Sequence, residues 1–315
     1  KLIWKSALRQ HHDITLAANG DIYTLTRIKH IIPRINPYFP IMEDFITILN
    51  RKGKPIKNVS LIEALENSGF IDKYWDKRIM NRGDIFHTNA VEILDGKIAD
   101  IAPEFSKGRV LTAMNLLNTV FVVDLDSNKV VWGYKGNFYG RHDPQILPNG
   151  NLLILENRMG DSEESSNSPD EISNSRNPEK KGPALKESET QGIFTTRGRM
   201  PIFVMSGLLA NEIMGQSKSG VVEFALPEME PLWSYAGNEE DPFYTLTCGT
   251  VQRLANGDTL ITETDNGRAF EVTPGGEIVW EFDSPHRAGE NGDLVASLFE
   301  VRRLPADFGA WLQKK

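Results

Sequence analysis

Residues 141–157, RHDPQILPNGNLLILEN, carry the reading of the fold. His142 opens a strand of alternating character, Asn149-Gly150 turns the chain, and the apolar run from Leu152 to Leu155 brings it back. An Asn-Gly pair supplies the positive φ angles that a tight hairpin needs. The same frame recurs in HDITLAANGD from His12, HTNAVEILDGK from His87 and CGTVQRLANGDTLI from Cys248. Their turns fall at Asn19-Gly20, Asp95-Gly96 and Asn256-Gly257.

A second hairpin follows each of these frames. VVDLDSNKVVWGY from Val122 contains Trp132, VVEFALPEMEPLWSY from Val221 contains Trp233, and FEVTPGGEIVWEF from Phe270 contains Trp280. FITILNRKGKPIKNV from Phe45 is a cruder copy without tryptophan. Alternating apolar residues around a Gly, Asn, Asp or Pro turn predict two paired strands. Each unit is therefore four strands, and units of about 40–50 residues of this kind mark propeller blades. The fold class expected is all-β, a β-propeller of four-stranded blades forming a single domain over 1–315. Four complete blades are readable, over 12–61, 87–134, 142–237 and 248–283, and six are expected in the full form. Lys1–Ser6 reads as the last strand of an earlier blade and Ser297–Pro305 as the first strand of another, with the missing strands upstream of Lys1. The recurring tryptophans are expected to pack between blades.

Two insertions interrupt the pattern. Residues 57–86 read as helical: Ser60-Leu61-Ile62-Glu63 is a capping box, Gly69 a stop, and Ile71–Trp75 continues the apolar face. Residues 161–218 open as GDSEESSNSPDE from Gly160, a composition expected to be mobile. Its later apolar part, Ile202–Ala210, is expected to pack on the propeller or cover its mouth.

Composition narrows the function. The 35 basic and 43 acidic residues give a net charge of −8, which argues against a nucleic-acid partner. No run of about 18 apolar residues exists, so no membrane span is expected. Cys248 is the sole cysteine, so no internal disulfide forms. The chain opens on Lys1 inside a strand-like stretch and shows no signal peptide of its own, so an upstream targeting segment is expected to be missing. Phosphate-cradling loops, nucleophile elbows, C-x-x-C pairs and H-E-x-x-H are absent.

His12, His87 and His142 stand at one place in three successive repeats, although the chain has only 6 histidines. The first strand of a blade lines the propeller axis, so the three imidazoles are expected to converge at one rim. Three histidines can bind a metal, hold an anion when protonated, or combine a nucleophile with groups that stabilise transferred charge. The plain alternative is that they cap strand starts. Asn89 is expected on the same side as His87, with period two. Arg158 and Arg268 sit in equivalent turns, where either guanidinium can grip an anion or bridge blades. His11 and Arg141 are expected on the opposite strand face, and Cys248 is expected to be a buried packing residue.

These motifs, HHDI with LAANGDIY, FHTNAVEIL, RHDPQILPNGNLLILEN and GTVQRLANGDTLI, resemble the bacterial arylsulfate sulfotransferases over nearly the whole chain outside the insertions. The resemblance implies a β-propeller that moves a sulfuryl group from an aryl sulfate to a phenol without a nucleotide donor. It also implies a ping-pong route through a sulfo-histidine, no cofactor, no metal, and a periplasmic setting. By motif, His142 matches the nucleophile, His12 and His87 the flanking histidines, and Asn89 the asparagine of H-x-N. Where the family places an arginine that holds the sulfate, this chain has Asn115, a neutral amide. That departure motivates a second expectation, a non-catalytic binding propeller. A metal- or quinone-dependent oxidoreductase is the third reading of three histidines in a propeller channel.

Overall fold

The computed structural model describes residues 2, 4–78, 80–135, 139–159, 218–305 and 308. The chain is nearly all β. The first blade comprises β1 (Gln10–Leu16), β2 (Ile22–Ile32), β3 (Asn36–Leu49) and β4 (Pro55–Ser60). It is followed by α1 (Leu61–Glu66), α2 (Ile71–Tyr74) and β5 (Gly83–Asp84). The second blade comprises β6 (Glu92–Ile93), β7 (Val110–Met114), β8 (Thr119–Asp124) and β9 (Lys129–Lys135). The third comprises β10 (Tyr139–Ile146), β11 (Leu152–Met159), β12 (Lys218–Ala225) and β13 (Glu230–Tyr235). The fourth comprises β14 (Thr250–Arg253), β15 (Thr259–Glu263), β16 (Arg268–Val272) and β17 (Ile278–Asp283). A small hairpin, β18 (Arg287–Ala288) with β19 (Leu294–Val295), follows.

Each blade is an antiparallel meander whose sheet order is its chain order, and β5 adds a parallel partner to β3. The cores lie between blades rather than within them. Leu25, Ile46, Phe86, Val110 and Phe121 join blades one and two. Leu111, Val122, Leu152, Ile154 and Phe224 join two and three, and Leu153, Val221, Val251 and Phe270 join three and four. Consecutive sheets therefore pack face to face, which is the packing of a β-propeller. Fully burying a side chain such as Phe121 contributes about 1.5–3 kcal/mol. Two of the recurring tryptophans serve these interfaces, whereas Trp280 stacks on Phe282 of its own strand, with the Arg303 guanidinium 4.4 Å from its ring centre. Trp132 packs at the second interface, and Trp233 donates to the Pro274 carbonyl of blade four at 2.9 Å.

The first strands are also stitched to one another by carboxylates that accept backbone N–H groups. Asp13 accepts from Val91 at 2.7 Å, Glu92 from Ile146 at 3.0 Å, and Asp143 from Val251 at 2.9 Å. These bonds tie the first strands of successive blades, β1, β6, β10 and β14, one to the next.

Several expectations change. Residues 57–60 end strand β4, and the helix begins at Leu61 with Ser60 accepting from the Glu63 N–H at 3.1 Å. The described part of Lys1–Ser6 forms no strand, and the Trp4 ring lies against the Gly53 turn. Ser297–Pro305 forms no strand either. It nevertheless docks on blade four, where Val301 donates to Thr262 at 3.1 Å and Arg303 to Gln252 at 2.9 Å. The insertion at 161–218 lies outside the described residues apart from Lys218, which starts β12.

Candidate active site

The repeat histidines owe their placement to strained backbone at the start of each first strand. His12, His87 and Cys248 have φ of 52°, 50° and 55°, and in β10 the left-handed residue is Asp143 at 47°. Such values are uncommon outside glycine and persist only where surrounding contacts hold them. In β1 the register passes from His11↔Leu25 to Ile14↔Thr24, leaving His12 and Asp13 as a bulge. A bulge breaks the period of two. His11 therefore does not take the opposite face: its Nδ1 lies 2.7 Å from the Nδ1 of His12, with ring centroids 5.0 Å apart.

His12 and His87 meet edge to face at 4.9 Å. The His12 ring lies among the imidazoles of His87, His11 and His142, with the Arg27 guanidinium nearby. Its pKa is pushed down to about 3, first by desolvation and then by His87, His11, His142 and Arg27. His142 is buried, with 8% of its surface exposed, and its Nδ1 lies 3.2 Å from the Gly140 carbonyl. A carbonyl only accepts, so Nδ1 carries the proton and Nε2 keeps its lone pair. Desolvation pushes the His142 pKa down to about 4, against the Gly140 hydrogen bond and the nearby Asn157 side chain, with His87 adding to the depression. Both His12 and His142 are thus neutral at neutral pH.

Asn89 is buried and its Nδ2 donates to the Arg141 carbonyl at 2.8 Å. Asn115 opens a short 3-10 turn, and its N–H donates to the His87 carbonyl at 3.3 Å, so it stands beside the site. Arg158 lies opposite Tyr139 on β11, and its charge reaches Tyr244. Among the described residues Arg158 has no carboxylate partner. Arg268 is placed elsewhere. It pairs with Glu281 and with Glu263 at 3.4 Å, and its guanidinium lies 4.4 Å from the Phe270 ring centre. Arg141 is fully buried beside Glu156 at 3.2 Å, and burial pushes that carboxyl up to about 7 against the pull of Arg141.

Sequence reasoning missed a second layer. Asn157 donates to the carbonyls of Thr245 and Cys248 at 2.9 and 2.8 Å and stands beside Gly140, whose carbonyl holds His142. Arg27 binds Asp44 at 2.7 Å and Asp84 at 3.0 Å. Asp84 accepts from His87 Nδ1 at 2.8 Å, while Asp44 lies 3.4 Å from His11 Nε2 and accepts from the Thr88 N–H at 3.0 Å. One signal was available: Arg27 and Asp44 face each other across the β2–β3 hairpin. Another was the spacing of Asp84 three residues before His87. Among the described residues no group of three or more His, Cys, Asp or Glu side chains is arranged to hold a metal ion.

A family profile described as Arylsulfotransferase (ASST) matches residues 4–285. No curated protein matches the chain. Among solved structures, the Dos1 propeller is similar at 9% identity over 88% of this chain and 48% of that one, with a TM-score of 0.41. The WD40 β-propeller domain of Doa1 is similar at 9% identity over 86% and 53%, with a TM-score of 0.39. A catalytically inactive virginiamycin B lyase from Staphylococcus aureus with quinupristin is similar at 12% identity over 90% and 59%, with a TM-score of 0.38. The chain spans about half the length of these structures.

Proposed function

Because the chain belongs to the arylsulfotransferase (ASST) family, we propose that it moves a sulfuryl group from an aryl sulfate to a phenolic acceptor through a sulfo-histidine on His142. The observation that carries this reading is the state of His142. It is buried, neutral, and held by Gly140 so that Nε2 presents its lone pair. A neutral imidazole nitrogen is a competent nucleophile, and covalent capture divides one transfer into two easier steps. Nε2 bonds to sulfur as the S–O bond to the aryl group breaks, and the pair leaves on the aryl oxygen. An acceptor oxygen then bonds to sulfur and the N–S pair returns to His142.

His12 is assigned as a donor to the sulfuryl oxygens, where charge shifts in the transition state, with His87 beside it at 4.9 Å between ring centres. We assign Asn89 and Asn115 to the substrate-facing wall and Arg158 to the anionic group, since Arg27 is already gripped by two aspartates. Arg268 is assigned to blade stability. By family the working site is extracytoplasmic, and no helix of the described residues is long and apolar enough to cross a membrane.

The test is intact-mass analysis after brief mixing with excess p-nitrophenyl sulfate, followed by peptide mapping. One added sulfuryl group on the His142 peptide, absent in His142→Ala, is expected. Nitrophenol release that survives in His142→Ala would sink the mechanism. Asn115, standing where the family has a cation, favours a second reading: a propeller that binds an anionic aromatic ligand without turnover. Ligand binding in the absence of any adduct would select it.

A further inference from the structure

We propose that Asp84 is a positioning residue that fixes the tautomer of His87, so that His87 Nε2 carries the proton between the two aryl oxygens of the reaction. The inference rests on the sulfuryl-transfer reading above. Both oxygens of this carboxylate grip one residue: Oδ1 accepts the His87 backbone N–H at 2.9 Å and Oδ2 accepts Nδ1 at 2.8 Å. The same bonds hold the left-handed backbone of His87. Among the described residues no other carboxylate is hydrogen-bonded to the ring of His12, His87 or His142.

The fold anchors Asp84 from two sides. Strand β5 pairs in parallel with Ile41 and Met42 of β3. Arg27 of β2 salt-bridges Asp84 at 3.0 Å and is itself held by Asp44 of β3, which is fully buried. The remaining titratable groups beside His87 are His12 of β1, whose ring meets it at 4.9 Å, and His142 of β10. The burial of Asp84 acts to raise its pKa, but the His87 bond and Arg27 outweigh it and hold the carboxyl below its ordinary range. Asp84 is therefore an acceptor only, and His87 Nδ1 must donate to it. Nε2 is the nitrogen left for chemistry, and 37% of the His87 side chain is open to solvent.

As the S–O bond to the donor breaks, the departing aryl oxygen takes the proton from Nε2 of the His87 imidazolium. When the acceptor oxygen bonds to sulfur, its hydroxyl proton passes to Nε2 of the now neutral His87. The ring ends as it began, with Nδ1–H on Asp84 throughout. A strongly anionic leaving group such as p-nitrophenolate needs this proton little, whereas phenolate needs it fully.

The experiment compares Asp84→Asn and Asp84→Glu with the wild-type protein on p-nitrophenyl sulfate and phenyl sulfate. Asp84→Asn is expected to lose at least about ten-fold more kcat on phenyl sulfate than on p-nitrophenyl sulfate. Asp84→Glu is expected to recover part of the difference, and sulfation of His142 by p-nitrophenyl sulfate in both variants shows that they are folded. Side-chain nitrogen NMR of the wild-type protein, with His87 neutral, is expected to find the proton on Nδ1. Equal losses on the two donors, no loss, or an Nε2–H tautomer overturns the proposal. If wild-type His142 never accepts a sulfuryl group, the sulfuryl-transfer reading falls instead, and the tautomer measurement still decides the role of Asp84.

Discussion

The side-chain amide of Asn89 reaches from the second blade to the third and donates to the carbonyl of Arg141 at 2.8 Å, one residue before His142. One blade further on, Asn157 does the same to the carbonyl of Cys248 at 2.8 Å. Each asparagine braces the backbone where the next first strand begins. Asn89→Ala leaves that buried carbonyl without its donor and is expected to cost about 1–3 kcal/mol of stability. Sulfation of His142 is expected to slow with it, because the strand that aims the imidazole loses its brace. Denaturant unfolding read beside adduct formation checks both, and an unchanged rate would limit Asn89 to a structural role.

The depressed pKa of His142 makes a pH prediction with a definite sign. The folded ring protonates at about 4, below the ordinary value of 6.5, so the nucleophile stays neutral as pH falls from neutrality to about 4. The rate of His142 sulfation is expected to show no His142 limb above that point. Stability moves the other way: between 6.5 and about 4 the unfolded histidine binds a proton that the folded one refuses, so His142 contributes a loss as pH falls through this window. Single-turnover quench experiments across pH read the first effect, and an inflection near 6.5 that follows His142 would contradict it.

Glu92 predicts the opposite slope. Burial, then Asp143, Asp95 and Asp13, push its folded pKa up to about 8 from 4.5, against the Ile146 hydrogen bond. The folded state therefore holds the extra proton between these values, and stability falls as pH rises through the window. Glu92→Gln keeps an acceptor for Ile146 without the charge. It is expected to gain about 1–2 kcal/mol relative to wild type near pH 8 and little near pH 4.5, a discounted share of the shift. Thermal unfolding at the two pH values decides it.

Arg158 and Arg268 are expected to separate cleanly. Arg158→Ala should raise KM for an aryl sulfate about ten-fold, the loss of one charge-assisted contact of about 1.4 kcal/mol, with little change in unfolding. Arg268→Ala should leave KM alone and lower stability, because its guanidinium serves Glu263, Glu281 and Phe270. Steady-state kinetics with a denaturant curve for each variant tests both, and exchanged phenotypes would reverse the assignment.

Gly140 is a structural requirement of the nucleophile. Its φ is +77°, and a Cβ there would lie 2.9 Å from both Cβ and Oδ1 of Asn157. Gly140→Ala is expected to cost about 1–3 kcal/mol and to displace the carbonyl that holds His142 Nδ1. Its signature is slower sulfation together with a lower unfolding midpoint.

The blade pattern was legible because hairpin chemistry is local. Asn149-Gly150 turns the chain at a sequence distance of two strands, and the alternation on either side states which face is buried. The capping role of Ser60 was legible for the same reason, while residues 57–60 were misjudged because strand and helix boundaries depend on which partner the backbone finds. The His11 face was misjudged because a bulge, not alternation, decides it.

By itself the sequence determined the four-stranded repeat, the blade order and the coincidence of His12, His87 and His142 at one repeat position, because these follow from turns and periodicity within about 50 residues. The tertiary structure alone decided what stands behind the histidines. Arg27, Asp44 and Asp84 come from three strands of one sheet, and Asn89 and Asn157 cross from blade to blade. Their partnership rests on face-to-face packing and on the desolvation of buried charge, and neither leaves a periodic mark along the chain.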